Sequence, residues 1–346
     1  MERQLGGKGE TVTKNMERNG NIDFLRTFAC FGVVAVHTIN GSLHIINNMI
    51  SLLTNICIPL FFLMSGYLMF QKEHISYNYV LKKCVRMLIT CFLWELLYSI
   101  AAFLYYHEFR NFIYSFLMDF VQKGLFFHFW FFGSLILLYL LAPVIRKLEK
   151  KSSALFMALV VGLITVCVVI DILQMAFRTK FVSVVPQSLR LWLWVAYFSL
   201  GGLFATKKKI VECFCKKHKW TIALTSMVIV WGWLFLAGKY IWGAVYMDEY
   251  YYGALPIIVA TCGIFGSGMY FRIPNWLNKG IKMVTPCTMG IYIIHPFVLS
   301  IFVKFVPSVT EQWLLNIVFW FLVILSCSIG VAIMNRIPLI KELNKL

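Results

Sequence analysis

Residues 153–171 read SALFMALVVGLITVCVVID, and this stretch contains no charged side chain before Asp171 at its end. A run of about 18 or more apolar residues is long enough to cross the ~30 Å hydrocarbon core of a bilayer as a helix. A membrane barrel would need short segments in which apolar and polar residues alternate, and this stretch has no period of two. It therefore predicts a transmembrane helix.

The rest of the chain has the same character. Of its 346 residues, 60% are apolar and 14% are charged, against roughly 25% charged residues in soluble domains, which argues against a water-soluble enzyme. Apolar runs bounded by charges predict an all-α integral membrane protein with about ten transmembrane helices. The predicted spans lie near residues 22–40, 50–70, 87–106, 127–145, 153–171, 190–206, 220–238, 252–271, 287–306 and 313–335.

The positions of the basic residues predict the orientation, because loops rich in Lys and Arg are retained in the cytoplasm. Most of the 32 Lys and Arg residues fall on one side of the predicted spans, together with both chain ends. We therefore expect a cytoplasmic tail over 1–20, a membrane domain over 21–336 and a second cytoplasmic tail over 337–346. Topology accounts for most of the net charge of +17, so the expected partner is the lipid bilayer and not a nucleic acid. Arg26 and the lack of a small-residue cleavage pattern favour a retained first span over a signal peptide.

The cysteines do not indicate a metal site or a disulfide framework. All ten are scattered, mostly within predicted spans or on the cytoplasmic side, where disulfides are rare. Cys213, Cys215 and His218 have the spacing C-x-C-x-x-H, but this is a weak metal signal without a fourth ligand. We expect them to be ordinary loop residues and expect no bound metal.

Ionisable residues inside predicted spans are the main functional candidates, because each costs at least ~2.5–3.5 kcal/mol at membrane depth. The first span contains Asp23, Arg26 and His37. Arg26 and His37 are eleven positions apart, close to three helical turns, so they share one helix face about 16 Å apart along the axis. A purely structural explanation is also open, in which Arg26 pairs with Asp23 and His37 bonds a neighbouring helix.

Further charged residues lie near the third predicted span. Lys82, Lys83 and Arg86 form a basic cluster in the predicted cytoplasmic loop at 71–86. Such clusters act as topology signals or lipid contacts, and they suit the phosphates of a nucleotide cofactor equally well. Glu95, inside the span, needs a basic or hydrogen-bonding partner, for which Arg26 is one candidate.

Prolines and glycines predict local helix geometry. Pro296 lacks an N–H and frees the carbonyl of Tyr292, so we expect a kink beside His295. Ser65-Gly66 in the second span indicates close helix packing. Gly263, Gly266 and Gly268 in the eighth span are interpreted as helix-packing positions. Asp119, Asp171, Asp248 and Glu249 near the outer surface are ambiguous between contacts to the acceptor and ordinary carboxylates of solvated loops.

In this order along the chain, the polar motifs resemble those of acyltransferase family 3, a family of bacterial integral membrane acyltransferases. Asp23-Phe24-Leu25-Arg26, followed by ten residues and His37, is similar to the family pattern R-x10-H. Phe61 to Leu68 resembles the pattern F-F-x-x-S-G-[FY]-L and contains Ser65 and Tyr67.

The likeness continues along essentially the whole chain. Lys83-Cys84-Val85-Arg86 stands where the family has R-x-x-R, so that one guanidinium is replaced by an amine. His128-Phe129-Trp130-Phe131 and the segment from Tyr292 to Pro296 are similar to later family motifs. The family's ten-span membrane domain agrees with the span count above.

The resemblance implies O-acyl transfer in the bacterial cytoplasmic membrane. The group transferred is expected to be acetyl, from cytoplasmic acetyl-CoA or another acyl-CoA to a hydroxyl of a cell-surface polysaccharide, lipid-linked sugar or related glycan. It implies His37 as the general base and Arg26 as a second catalytic residue. It also implies that Lys83 and Arg86 bind the CoA phosphates. Seven further residues are expected to support the site: Asp23, Ser65, Tyr67, Glu95, His128, Tyr292 and His295.

Two other functions are compatible with the same residues. A transporter or flippase of an amino acid or lipid-linked sugar would also place polar residues on facing membrane helices. A partner-binding membrane scaffold would leave the shared face of Arg26 and His37 unexplained.

Overall fold

The computed structural model describes residues 19–107, 111–242 and 249–338, which are helical and contain no β-strand. Seven of the helical segments in this part of the chain are long and apolar enough to cross a membrane. Two further apolar helices, Leu191–Thr206 and Leu255–Gly268, are shorter. The predicted all-α class is confirmed, whereas the count of about ten spans and the cytoplasmic position of both termini stay predictions. Most of the two predicted tails, residues 1–18 and 339–346, lies outside the described residues.

The described segments contain thirteen α-helices, numbered here in chain order. They are α1 (Gly20–Thr38), α2 (Ile45–Leu53), α3 (Cys57–Phe70), α4 (Tyr77–Tyr106), α5 (Phe112–Asp119), α6 (Trp130–Lys151), α7 (Ser153–Phe177), α8 (Leu191–Thr206), α9 (Lys208–Ala237), α10 (Leu255–Gly268), α11 (Asn275–Val284), α12 (Thr288–Phe305) and α13 (Trp313–Met334).

Large parts of two segments that were predicted as basic loops, residues 77–86 and 208–219, are helical. Lys82, Lys83 and Arg86 lie in the first turns of α4, which begins after Ser76, whose hydroxyl accepts the N–H of Tyr79 at 3.3 Å. The lysine-rich stretch 207–219 forms the start of α9, with a non-helical backbone at His218 (φ −111°, ψ 20°). Lysine has a high helix propensity, so a basic composition indicates an aqueous location without excluding a helix.

Glycines allow α3 and α8 to cross at very short range. A Cβ atom added at Gly66 would overlap the carbonyl oxygen of Phe198 on α8, and one at Gly201 would overlap the carbonyl oxygen of Leu63 on α3. Because backbone faces backbone at both points, no side-chain rotation could relieve the overlap. The packing interpretation of Ser65-Gly66 is therefore confirmed.

The glycines of α10 serve the same purpose at other contacts. A Cβ at Gly263 would overlap the hydroxyl of Ser226 on α9, one at Gly266 would lie 2.9 Å from the sulfur of Cys215, and one at Gly268 would lie 2.5 Å from Leu25 on α1. Their interpretation as helix-packing positions is confirmed.

A buried asparagine on α13 fixes the end of α1. Asn316 accepts the N–H of Asn40 at 2.9 Å and the side-chain amide of Asn47 at 3.0 Å, and it donates to the carbonyl of Thr38 at 2.8 Å. A second donated bond, to a carbonyl of the preceding loop at 3.1 Å, uses its remaining amide hydrogen. A buried polar side chain with its full set of partners stabilises one geometry, and here it holds the turn that follows His37.

Candidate active site

A cavity of about 400 Å³ lies between α1, α3, α4, α6 and α12. It brings together Arg26 from α1, Ser65 from α3, Lys83 and Arg86 from α4, and Tyr292 from α12. Twelve more side chains complete the lining: Phe61, Leu68, Met69, Lys72, Tyr79, Met87, Phe131, Phe132, Leu135, Tyr139, Thr288 and Met289. Five residues from four separate sequence motifs therefore border one cavity.

The charge of this cavity is entirely positive among its described lining residues. Arg26, Lys72, Lys83 and Arg86 contribute four cations, and the lining contains no carboxylate. Aromatic rings orient two of the amines: Lys72 Nζ lies 4.6 Å from the ring centroid of Tyr79, and Lys83 Nζ lies 5.6 Å from it. Several cations within one partly apolar cavity favour a ligand that carries several negative charges.

A second cavity of about 520 Å³ adjoins the first at Arg26. Asp23 and Tyr67, both buried, line this second cavity with Gln71 and Lys208. These two predicted supporting residues therefore lie beside Arg26 but outside the lining of the first cavity.

Tyr292, Phe131 and Phe132 line the basic cavity next to the histidines, and this part of the lining is called its inner end here. The hydroxyl of Tyr292 donates a short hydrogen bond to the backbone carbonyl of His128. Its ring centroid lies 5.5 Å from that of Phe131 and 5.5 Å from that of Phe132. The tyrosine is thus held at its tip by a hydrogen bond and along its ring by two α6 side chains.

Three histidines lie together beyond Tyr292. The ring centroids of His37 and His295 are 5.2 Å apart, and those of His128 and His295 are 5.8 Å apart. Tyr292 lies 5.3 Å from His128 and 6.1 Å from His295 by the same measure. His128 and His295 are buried and His37 is half-buried. His37 belongs to α1, His128 to the turn before α6 and His295 to α12, so only the packing of the helices brings them together.

The backbone fixes the tautomer of His295. Its Nδ1 lies 2.8 Å from the carbonyl oxygen of Tyr292 and 3.2 Å from that of Ile291. A carbonyl can only accept, so Nδ1 carries the hydrogen and Nε2 is left as an acceptor. The carbonyl of Tyr292 is available because Pro296, four residues later, has no N–H to bond it, as the sequence predicted.

The histidine cluster has unused hydrogen-bonding capacity. Nε2 of His295 is buried and has no hydrogen-bond partner among the described residues. The ring of His128 faces the backbone of Ile293, and neither of its nitrogens forms a hydrogen bond of ordinary geometry in this part of the structure. Buried polar atoms without partners are uncommon in proteins, and these could accept or donate to a hydroxyl between the rings.

Glu95 has a buried carboxyl group as its neighbour. Its side chain shares a hydrogen bond with Asp119 at the end of α5, and both residues are buried. Asp119 and Asp171 are therefore not the solvated loop carboxylates that their position in the sequence favoured, because both are buried. Asp248 and the side chain of Glu249 lie outside the described residues. The sequence placed Asp119 in a loop, and it did not reveal that Asp119 ends a helix, α5, that packs against α4.

The carboxyl pair supports the turn that carries His128. Oδ1 of Asp119 accepts the N–H of Phe126 at 2.8 Å, and the Phe126 ring lies 5.8 Å from that of His128. Burial, and then the charge of Glu95, raise the pKa of Asp119 from its ordinary value of 3.8 to about 8. One proton shared between the two groups avoids two buried negative charges.

Several residues of the surroundings were not predicted as site residues, among them Lys72 of the basic cavity. Asn316, which fixes the turn after His37, is a fully buried polar residue in a predicted span, and that property was its available signal. Tyr139 borders the basic cavity, with Lys83 Nζ 5.3 Å from its ring centroid. A tyrosine within an apolar run carries no comparable signal, because aromatic residues are common in membrane helices.

These features define a helical, multi-pass membrane protein with a basic cavity at one end of a buried histidine cluster. Comparison with known proteins gives its family: the model of acyltransferase family 3, described as an acyltransferase domain, matches residues 19–335. The chain belongs to this family, and membership supports acyltransferase activity.

One curated relative is more distant. The chain is 22% identical over 332 residues to an amino-acid racemase of Enterococcus faecalis, a match that covers 90% of this chain and 45% of the relative. The chain thus spans less than half the length of that relative. No solved structure matches the chain.

Proposed function

We propose that the protein transfers an acyl group, most simply acetyl, from cytoplasmic acyl-CoA to a hydroxyl of a sugar-containing acceptor at the outer side of the bacterial cytoplasmic membrane. The observation that carries this proposal is the arrangement of one helix. On α1, Arg26 borders a cavity that contains four cations, and His37 lies in the histidine cluster beyond the inner end of that cavity.

The proposed position of the donor follows from charge and length. Lys83, Arg86 and Arg26 bind the CoA phosphates, since guanidinium and ammonium groups are the usual partners of phosphate oxygens. The thin pantetheine arm then extends along the apolar wall towards Tyr292. Arg26 and His37 are about 16 Å apart along α1, which suits a donor whose phosphates and thioester are far from each other.

The proposed chemistry uses His37 as general base. One nitrogen of His37 takes the proton of the acceptor hydroxyl while the hydroxyl oxygen attacks the thioester carbonyl. The C–S bond then breaks, the acyl group stays on the acceptor oxygen, and the CoA thiolate takes up the proton. Nε2 of His295, whose lone pair is available, orients the ring of His37 or the acceptor hydroxyl.

Two substitutions separate binding from transfer. His37→Ala is expected to lower acyl transfer by ~10²–10⁴-fold, the usual contribution of a general base, while acetyl-CoA binding is retained. Arg86→Ala is expected to weaken acetyl-CoA binding by about 10- to 100-fold, since a hydrogen bond to a charged group contributes ~1.5–3 kcal/mol. Calorimetry with acetyl-CoA measures binding, and mass spectrometry of O-acetyl groups on the surface glycans of complemented cells measures transfer.

Lys82→Ala is the matched control for Arg86→Ala. Lys82 is an exposed cation on the same helix, but it does not line the cavity. We expect unchanged binding in this variant. An equal loss of acetyl-CoA binding in Arg86→Ala and Lys82→Ala would show that the basic residues act only through the general positive charge of the surface. Full glycan acylation with His37→Ala would exclude His37 as the base.

A transporter or flippase is the second candidate. The likeness to an amino-acid racemase favours an amino acid as its solute. Its signature is flux of an unmodified solute across vesicles with no consumption of acetyl-CoA, so the same purified protein distinguishes the two functions.

A further inference from the structure

We propose that Tyr292 determines whether the acyl group goes to the acceptor or to water, because it separates the basic cavity from the histidine cluster. This inference rests on the proposed acyl-CoA reaction. Tyr292 is then a specificity-determining residue, a more definite role than that of the supporting residue implied by the family resemblance.

The position of Tyr292 is the first support. It lines the basic cavity on one side, while its ring lies 5.3 Å from His128 and 6.1 Å from His295 on the other. None of the three histidines is among the described residues that line the cavity. Tyr292 therefore borders both the basic cavity and the histidine cluster, and it is the point at which water from the cavity would be stopped.

The second support is the way in which Tyr292 is held. Its hydroxyl donates to the carbonyl of His128, and its ring packs between Phe131, Phe132 and the histidines. This hydrogen bond joins α12 to the turn before α6, the two elements that carry His295 and His128. Passage of the acyl group past the ring requires rotation of the Tyr292 side chain, which breaks this hydrogen bond and the packing of the ring against its neighbours. The barrier is therefore closed in this structure and opens by movement of one side chain.

A barrier at this point matters because of a competing reaction. A base that activates an acceptor hydroxyl also activates water. Water would attack the thioester carbonyl, its proton would pass through His37 to the departing CoA thiolate, and the products would be free carboxylate and CoA. Exclusion of water from a reactive centre suppresses such side reactions.

The first experiment measures CoA release from acetyl-CoA in the absence of any acceptor. We expect slow release by the unaltered protein in nanodiscs and release at least about tenfold faster with Tyr292→Ala, because a positioned base accelerates attack by ~10²-fold or more. Tyr292→Phe retains the ring but loses the bond to His128, so intermediate release is expected. The double variant Tyr292→Ala/His37→Ala should again release CoA slowly, because no His37 is then present to take a proton from the attacking water.

Tyr139→Ala is the matched control, because Tyr139 also borders the basic cavity but lies beside Lys83. We expect it to change acetyl-CoA binding without faster release. If neither Tyr292 variant releases CoA faster than this control, although both bind acetyl-CoA, the inference is overturned. If the unaltered protein does not bind acetyl-CoA, the proposed function itself fails.

A second measurement tests the barrier without any acyl transfer. The His128→Cys variant in inside-out vesicles is treated with a small water-soluble thiol reagent. Peptide mass spectrometry then measures the labelling of the cysteine at position 128. We expect protection while Tyr292 is present and loss of protection when Tyr292→Ala is added. Equal labelling with and without Tyr292→Ala would show that Tyr292 does not separate the basic cavity from the histidine cluster.

Discussion

At the scale of single residues, the site depends on which polar atoms have partners. His295 has its Nδ1 committed to two backbone carbonyls, which leaves Nε2 as an acceptor near His37. Asp119 and Glu95 instead share a hydrogen bond with each other, and Asp119 also accepts the N–H of Phe126. The histidines therefore have capacity for a substrate, whereas the carboxyl pair has a structural role in the turn before His128.

The raised pKa of Asp119 predicts a pH dependence of stability. In the unfolded chain this carboxyl loses its proton near its ordinary pKa of 3.8, whereas in the folded protein its pKa is about 8. Between these values the folded state binds more protons, so the free energy of unfolding contributed by this group falls as pH rises from ~4 to ~8 and then levels off.

Asp119→Asn removes this titration while retaining an oxygen for the N–H of Phe126. We expect the variant to gain stability relative to the unaltered protein as pH rises through that window, as measured by thermal unfolding in nanodiscs at pH 5, 7 and 9. Glu73→Gln, at an exposed carboxylate, is the control and should keep the original pH profile. An unchanged profile with Asp119→Asn would show that the carboxyl pair does not hold its proton.

At the scale of elements, the crossing of α3 and α8 is the tightest contact that the glycines reveal. Both helices are apolar on all sides, so no hydrophobic stripe selects their facing residues. Close approach of backbones, which small residues permit, is the usual basis of such association in membranes. Since α3 carries Ser65 and lies against α1, this crossing also positions one wall of the basic cavity.

Gly66→Ala tests this crossing. Its new methyl group would overlap the Phe198 carbonyl, so the helices must separate, at a cost of at least about 1–3 kcal/mol. Gly162→Ala is the matched control, because nothing lies within 4 Å of a Cβ at that helical position. There we expect no loss, or a gain of up to ~1 kcal/mol from the better helix propensity of alanine. Unfolding in detergent measures both, and equal stability of the two variants would exclude the tight crossing.

At the scale of the whole molecule, the proposed reaction requires the basic cavity to face the cytoplasm. The lysine-rich start of α9 is expected on the same side by the distribution of Lys and Arg. Cys213 lies in this stretch and is exposed, whereas Cys262 is partly buried and the other eight cysteines are buried. It therefore offers a native marker of the orientation.

Labelling of Cys213 with a membrane-impermeant maleimide tests the orientation. We expect the maleimide to label the protein in inside-out vesicles and not in intact cells, and Cys213→Ser should abolish the labelling. Labelling of Cys213 in intact cells would reverse the topology and with it the side from which the donor enters.

The sequence alone was sufficient to predict membrane helices, because exposing apolar runs of this length to water is energetically unfavourable. It also predicted most helix positions and the freed carbonyl of Tyr292, since these depend on local composition and on a proline four residues away. Residues 77–86 and 208–219 were misassigned to loops, because charge indicates contact with solvent and not backbone conformation.

The grouping of the site residues required the packed structure. His37, His128 and His295 come from three separate elements, and no spacing in the sequence predicts that the rings of His37 and His128 each lie within 6 Å of the ring of His295. The pairing of Glu95 with Asp119 and the position of Tyr292 between the cavity and the histidines depend in the same way on helix crossings. Those crossings are set by backbone approach at a few glycines and by buried hydrogen bonds such as those of Asn316, which are interactions between residues far apart in the chain.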